Sequence, residues 1–164
     1  MSSTTGRSSA SSSDARRARA PARPRVLLDT NALFLVVRAR FPLEAEIDRW
    51  RPGALVLVPS SVVGELERLV RDSTPGAVAA RALADRFERA ESTARGDSGV
   101  VEAAERLRAS VVTADRALRA RLVRRGIAVL GPRDRSRLEV TPGAPAAARA
   151  RSRRPPLRRP RGNS

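Results

Sequence analysis

The sequence predicts an α/β protein: a three-layer α/β/α arrangement with a central parallel sheet of four to five strands, flanked by disordered tails. Two observations support this fold class. Short apolar runs rich in Val and Leu alternate with longer segments of helical periodicity, which is typical of a parallel sheet covered on both faces. The two ends of the 164-residue chain are instead dominated by Ser, Ala, Pro and Arg, and such segments cannot bury a core.

Charge and composition divide the chain into one domain and two basic tails. We expect a disordered Ser/Arg-rich tail at 1–24, the folded domain at 25–140 and a disordered Pro/Arg-rich tail at 141–164. Six Arg and one Asp in residues 1–25, with seven Arg and no acid after residue 140, supply twelve of the sixteen net positive charges. Tails of this kind attract nucleic-acid phosphates without reading base sequence.

The first half of the domain is expected to contain two strands and four helices. Pro42 opens a helix that Pro52 and Gly53 end, and Thr30 or Asn31 caps the first helix. In chain order, the predicted elements are strand Arg25–Leu28, helix Ala32–Arg38, helix Leu43–Trp50, strand Leu55–Val58, a helix that starts at Pro59-Ser60-Ser61 and runs to Arg71, and helix Ala77–Ala90.

The second half continues the alternation. An apolar face formed by Val100, Val101, Ala104 and Leu107 predicts one helix, and Gly126 ends another. The predicted elements are helix Asp97–Arg108, strand Val111–Thr113, a helix capped by Asp115 and running to Arg125, strand Ile127–Leu130, and a short fifth strand within Arg137–Val140.

The residue inventory excludes most enzyme chemistry. The chain contains no His, Cys, Lys or Tyr. This excludes Ser-His-Asp and Cys-His nucleophiles, Schiff-base lysines, the lysine of a phosphate-binding loop, disulfides and cysteine zinc sites. Asp, Glu, Ser, Thr, Asn and Arg remain, and clustered carboxylates among them are suited to divalent-metal catalysis.

Several acids are expected to meet at one edge of the sheet. Asp29 and Asp115 each follow a strand, and Asp97 begins a helix that leads back to the strand before Asp115. Because helices run antiparallel to the strands they follow, helix starts and strand ends lie on the same edge. The next helix offers Glu65 or Glu67, which flank opposite sides of its apolar arc, and helix geometry leaves both open.

A simpler interpretation exists for each acid taken alone. Asp97 and Asp115 are typical helix N-caps, Asp29 is a common turn residue, and a helical Glu is usually solvated. The metal-site hypothesis therefore depends on finding several of these acids together. Acids that share one edge without Lys or His partners repel one another unless a divalent cation neutralises them.

Three segments resemble the PIN-domain family of metal-dependent nucleases. They are Val26–Leu33 (VLLDTNAL), Val58–Leu69 (VPSSVVGELERL) and Gly96–Leu130, in the order the family has them, within residues 25–140. In character they are most similar to the archaeal and eukaryotic proteins of the ribosomal-RNA-processing type. Toxin nucleases of toxin–antitoxin pairs share the domain but look less like the third segment.

The resemblance implies a fold and a site. It implies a PIN-like domain at 25–140 and selects Glu65 over Glu67 as the fourth acid. The family often has a second Asp directly after the third acid and an Asn before the fourth, where this chain has Ser98 and Ala114. The implied catalytic and metal-binding acids are Asp29, Glu65, Asp97 and Asp115, and the supporting polar residues are Thr30, Asn31, Ser98 and Thr113.

These features together predict a Mg²⁺- or Mn²⁺-dependent endoribonuclease that hydrolyses RNA phosphodiesters in ribosomal RNA maturation or another RNA-processing step. The expected partners are RNA and a pre-ribosomal particle. No stretch is long and apolar enough for a secretory signal or a membrane span, so we expect a cytoplasmic protein without a membrane partner. The expected RNA contacts are Arg116, Arg153, Arg154, Arg158 and Arg159.

Other readings stay open. A non-catalytic PIN-fold RNA-binding factor in ribonucleoprotein assembly fits the basic tails, and a toxin nuclease with an antitoxin partner fits the domain. The sequence also leaves a homodimer open. Phosphotransfer on Asp29 is disfavoured, because the phosphatase pattern needs Asp where the chain has Asn31, and such enzymes use a Lys that this chain lacks.

Overall fold

A computed structural model describes residues 22–145, and both predicted tails lie largely outside these residues. The tail arginines at 153, 154, 158 and 159 are outside them as well. The described strands are β1 Arg25–Leu28, β2 Leu55–Pro59, β3 Glu88–Ala90, β4 Ser110–Val112, β5 Val129–Pro132 and β6 Leu138–Thr141. The described helices are α1 Thr30–Ala39, α2 Leu43–Trp50, α3 Ser60–Arg71, α4 Ala77–Ala84, α5 Gly96–Leu107 and α6 Arg116–Arg124.

The strands form one mostly parallel sheet, which confirms the predicted fold class. Their order is β3-β2-β1-β4-β5-β6, and within the described part of the chain only β6 runs antiparallel to its neighbour. From β1 the chain first extends the sheet on one side, through β2 and β3, and then returns to add β4 on the other. The carboxyl ends of β1 and β4 therefore border a topological switch point, where open α/β sheets place their functional groups.

Aliphatic side chains explain why both faces of this sheet are covered. Val26, Leu27 and Leu28 are all fully buried in β1. Since neighbouring residues of a strand point to opposite faces, burial of all three requires helices on both faces. α5 packs against β1 and β2, α6 packs against β5, and α4 packs against α1 and α3. No helix within residues 22–145 combines the length and the apolarity that crossing a bilayer demands.

The edge strand β3 was not expected from the sequence. A single helix was predicted for Ala77–Ala90, but α4 ends at Ala84 and β3 pairs in parallel with β2. A short turn joins them, in which the Phe87 amide donates to the Ala84 carbonyl. The helical periodicity of the sequence continues through this turn and does not predict a strand. The segment becomes a strand because the backbone of β2 needs hydrogen-bond partners on that side.

The last strand is antiparallel because only the short turn at 133–137 joins it to β5, and a buried acid on α2 also binds it. Glu46 on α2 is 4% exposed and accepts a hydrogen bond from the Leu138 amide at 2.8 Å. Arg49 and Arg137 donate to the same carboxylate at 2.9 and 3.1 Å, and the Trp50 indole donates to the Leu138 carbonyl at 3.0 Å. These contacts fix β6 beside β5 after the turn at 133–137.

Replacement of Glu46 tests this attachment. The hydrogen bond from Arg49, followed by the one from the Leu138 amide, lowers the pKa of Glu46 to about 2. Because the pKa of Glu46 is lower in the folded than in the unfolded state, its ionisation stabilises the folded state at pH values above the unfolded pKa of 4.5. This contribution is lost as the pH falls to the folded pKa of about 2. Glu46→Gln should therefore lower the melting temperature at neutral pH, with a difference from wild type that shrinks on acidification.

Thermal unfolding followed by circular dichroism from neutral to acid pH measures this convergence. Glu44→Gln is the matched control, because Glu44 lies on the same helix in an exposed ion pair with Arg86. A difference that persists unchanged at the lowest pH would show that the charge of Glu46 has no part in holding β6.

Candidate metal centre

The carboxylate of Asp29 lies at the end of β1 and begins α1. Asp29 is 3% exposed. Its Oδ1 accepts the Thr30 amide at 2.6 Å, and its Oδ2 accepts the Thr113 hydroxyl at 2.7 Å. Asp29 is therefore the N-cap of α1, and the prediction that Thr30 or Asn31 caps this helix was wrong. The Thr113 bond joins the carboxyl ends of the two strands at the switch point.

Asp115 is held by the same polar network. The Thr113 hydroxyl oxygen accepts the Asp115 amide at 3.0 Å while it donates to Asp29. Asp115 Oδ1 accepts the Leu118 amide at 2.9 Å, so Asp115 caps α6 as predicted. In this arrangement the other carboxylate oxygen of Asp115, Oδ2, can accept a further ligand. Thr113, only 1% exposed, thus positions two acids from the end of β4.

The structure distinguishes Glu65 from Glu67, which helix geometry alone left open. The Thr30 hydroxyl donates to Glu65 Oε2 at 2.6 Å, and the Glu65 side chain is half-buried. Glu67 is exposed and forms an ion pair with Arg81 at 3.4 Å. Glu65 therefore lies beside Asp29, in agreement with the family resemblance, while Glu67 faces away from it toward a cation.

Asp97 lies in the first turn of α5 and is exposed, and it is not the N-cap of that helix. Burial of part of the carboxylate raises its pKa, and the negative charges of Asp115 and Glu65 raise it further. The guanidinium of Arg121 acts in the opposite direction. Asp97 thus lies within electrostatic range of Asp115 and Glu65, and its charge also acts on Asp29.

The pKa of Asp29 shows how unfavourable its charge is. Burial raises the pKa to about 6, hydrogen bonds from Thr113 and Thr30 oppose this shift, and the charges of Asp97 and Glu65 add to it. Asp29, Glu65, Asp97 and Asp115, which we call the acidic rim, are therefore linked by repulsion. Within residues 22–145, none of the four forms a salt bridge.

The acidic rim fits a hard divalent cation in donor chemistry and in charge. Carboxylate oxygens are the ligands that Mg²⁺ and Mn²⁺ prefer, and the charge of a bound cation would oppose the burial and the repulsion that raise the pKa of Asp29. In their present rotamers, no three acidic side chains of the described range lie close enough to hold one ion. Mg²⁺ keeps several waters and binds through only one or two carboxylates in many proteins.

The supporting residues divide into two groups. Thr30 and Thr113 are buried and bonded to the acids, whereas Asn31 and Arg116 are exposed at the starts of α1 and α6. Ser98, also exposed, accepts a hydrogen bond from Arg121 Nη2 at 3.0 Å. The structure thus brings the two threonines into the acidic rim and leaves Asn31 and Arg116 at its border.

Arg121 is the residue that sequence reasoning missed. It bonds Ser98 and lowers the pKa of Asp97, so it supplies positive charge at the acidic rim. Nothing in the local pattern of α6 distinguishes Arg121 from Arg119 or Arg124. Its role comes from a contact between two helices, which the sequence does not show.

Comparisons with known proteins agree with this fold. A family model described as a PIN like domain matches residues 26–135, and the chain belongs to this family. The fold is similar to that of a solved structure described as the PIN domain endonuclease Utp24, with 23% identity, a TM-score of 0.60, and coverage of 72% of this chain and 92% of that one. The family resemblance expected from the three segments is therefore confirmed.

A second solved structure is also similar in fold. It is a domain of a functionally unknown protein from Methanocaldococcus jannaschii, with 16% identity, a TM-score of 0.51, and coverage of 68% of this chain and 92% of that one. No curated protein gives a significant match. At these identities the structural similarities establish the fold.

The raised pKa of Asp29 leads to a test in the metal-free protein. A carboxylate with a pKa of about 6, against an ordinary 3.8, destabilises the folded state once it ionises. Wild type should therefore lose stability as pH rises from about 4 to 8, by up to about 3 kcal/mol. Asp29→Asn should remove most of this loss, because Asn stays neutral, and should be more stable than wild type at the upper pH; the raised pKa of Asp97 accounts for a remainder.

Urea unfolding at several pH values in the presence of a chelator measures the effect. Asp48→Asn serves as the control, since Asp48 is exposed on α2 and accepts the Gly53 amide at 3.0 Å. Equal pH dependence in wild type and Asp29→Asn would mean that Asp29 is neutralised in some other way.

Proposed function

We propose that this protein is a Mg²⁺- or Mn²⁺-dependent endoribonuclease and that the acidic rim is its catalytic site. The observation that supports the proposal most strongly is the buried carboxylate of Asp29, which lies at the switch point of the sheet and has no cation partner among the described residues. A buried anion of this kind, surrounded by further acids, is costly unless a metal ion binds there. Membership of the PIN-like family agrees with nuclease activity.

RNA is the proposed substrate on the grounds of charge. The net charge of +16 favours a polyanion, and seven arginines lie after residue 140. With only three Phe and one Trp in the chain, recognition should depend on backbone shape and phosphate contacts rather than base stacking. We propose ribosomal RNA precursors, within a pre-ribosomal particle, as the first substrates to test.

Each residue of the rim has a distinct task in this mechanism. Asp29 and Asp97 would hold the principal ion, with Glu65 and Asp115 completing or orienting its shell. The bound ion supplies activation of a water and stabilisation of the charge that develops on phosphate oxygens. The chain's own hydrogen bonds then matter for orientation, because the hydroxyl of Thr113 directs the carboxylate of Asp29.

Two further groups complete the orientation and binding. The hydroxyl of Thr30 holds Glu65 in the rim through its 2.6 Å hydrogen bond. Arg121 favours the ionised form of Asp97. Arg116, exposed one residue after Asp115, would bind a phosphate of the substrate.

Loss of either principal acid should abolish cleavage. Asp29→Asn and Asp97→Asn remove charge from the rim without changing side-chain size, and each should reduce Mn²⁺-dependent cleavage of structured RNA by at least about 100-fold, since even outer-shell partners of metal sites are worth 10–100-fold. Glu67→Gln is the matched control, because Glu67 lies on the same helix as Glu65 and pairs with Arg81 outside the rim.

The assay follows end-labelled RNA on denaturing gels with purified full-length protein. The control should retain wild-type activity. Undiminished cleavage by both aspartate variants would remove the proposed catalytic site.

A non-catalytic RNA-binding factor is the second candidate. One observation that favours it is Ser98, which is neutral where the related nucleases often have an acid and which accepts a hydrogen bond from Arg121. The other is that no three acidic side chains of the described residues lie close enough to hold one ion. Such a factor would bind RNA without needing the four acids or a metal.

Thermal stability in the presence of Mn²⁺ separates the two candidates. An ion that binds only the folded state, at a hundred times its dissociation constant, should stabilise it by about 2.7 kcal/mol and raise Tm by roughly 10 °C. The nuclease proposal expects this rise in wild type and its loss in Asp97→Asn. A Tm that does not respond to Mn²⁺ in either protein favours the non-catalytic factor.

A further inference from the structure

A second charged surface lies at the opposite edge of the sheet from the acidic rim. β1, β4 and β5 are parallel, so their amino ends share one edge. A groove of about 750 Å³ opens there between the ends of α5 and α6, beside Ser110 at the start of β4. A smaller groove of about 390 Å³ adjoins it, next to the chain that enters β1. Arg108 lines both grooves.

Several exposed arginines line these grooves. Arg25, Arg106, Arg108 and Arg124 are all exposed there, and we call this set the basic edge. The guanidinium groups of Arg108 and Arg124 have no hydrogen-bond or ion-pair partner within residues 22–145. The single acid that lines the larger groove, Glu105, is bonded to Arg125 at 3.1 Å.

Two of these arginines are oriented by backbone carbonyls. Arg25 Nη1 donates to the Leu107 carbonyl at 3.3 Å, at the end of α5. Arg106 Nη2 donates to the carbonyl of Glu91. Backbone carbonyls thus orient both side chains, and Arg106 also interacts electrostatically with Glu102. Among the described residues, the unpaired positive charge of the edge is therefore that of Arg108 and Arg124.

Both Arg-rich ends of the chain attach at this same edge. Residue 22 is the first described residue and lines the smaller groove. At the other end, the Ala144 amide donates to the Val123 carbonyl at 2.8 Å, and Gly143 lies so close to the backbone of Gly126 that a Cβ would overlap it. The segments beyond, at 1–21 and 146–164, contain four and seven arginines.

We infer that the basic edge binds the phosphate backbone of RNA at a site separate from the acidic rim. Guanidinium groups without acidic partners match phosphate oxygens, and the larger groove offers no aromatic side chain for base readout, so binding should not depend on base sequence. This inference rests on the proposed function in one respect, which is the choice of RNA as the polyanion that binds.

The two surfaces are separated by at least the length of a strand, about 13 Å for four residues. A short RNA can therefore occupy the acidic rim without reaching the basic edge, whereas a long RNA that crosses the domain contacts both. The edge would then hold extended substrates and contribute to affinity, without a part in the cleavage step.

The test removes two charges from the basic edge of the full-length protein. The backbone of Arg108 is in the left-handed region, with φ of 51°, so the substitution Arg108→Asn introduces a residue that tolerates this conformation. Arg124→Gln completes the double variant. The matched control, Arg86→Gln with Arg89→Gln, removes two exposed charges near β3, at the other side of the sheet.

Fluorescence anisotropy with a long labelled RNA hairpin and a chelator measures binding alone. The edge variant should bind about tenfold more weakly than wild type, and its slope of log K against log salt between about 50 and 200 mM should be smaller by about 2. The single variant Arg124→Gln should lose about half of that slope. Cleavage of a short RNA should remain at the wild-type rate.

Two results would overturn the inference. One is wild-type affinity and salt slope in the edge variant, which would leave the grooves to some other partner, such as an acidic protein. The other is an equal loss in the edge variant and its control, which would reflect total charge alone. Neither result bears on the acidic rim, because these measurements do not depend on cleavage.

Discussion

The burial of the Asp29 carboxylate is the constraint on which the site depends. Removal from water raises its pKa to about 6, and nearby acids increase the penalty. The hydrogen bonds that offset this cost also assemble the site, since Thr113 joins β4 to β1 and Thr30 joins α1 to α3. An uncharged residue at position 29 would remove both the electrostatic penalty and the reason for this network.

The direction of the parallel strands separates opposite charges. Helices that follow parallel strands begin at the carboxyl edge, where capping and metal binding both favour acids, and this is where the acidic rim lies. The returning helices α5 and α6 end at the amino edge, where arginines complement the helix dipole. One topology thus separates the proposed catalytic surface from the proposed RNA-holding surface.

The elements that sequence reasoning predicted well are those with local causes. β1 matches its apolar run, α3 matches its amphipathic stripe, and Asp115 caps α6 as expected. The errors lie at the edges of the sheet. β3 carries charged residues at Glu88 and Arg89, and its strand conformation comes from pairing with β2. The attachment of β6 to α2 comes from contacts with Glu46, more than 90 residues earlier in the chain.

By itself the sequence determined the fold class, the absence of His, Cys and Lys chemistry, and the positions of Asp29 and Asp115 at strand ends, because each depends on composition or on spacing along one segment. Tertiary structure decided what depends on partners from other segments. Helix periodicity gives the direction of a side chain but not its neighbour, so the hydrogen bond from Thr30 to Glu65 and the ion pair of Glu67 with Arg81 are what separate the two residues. The contact of Arg121 with Ser98 arises in the same way, from two helices that meet only in the folded domain.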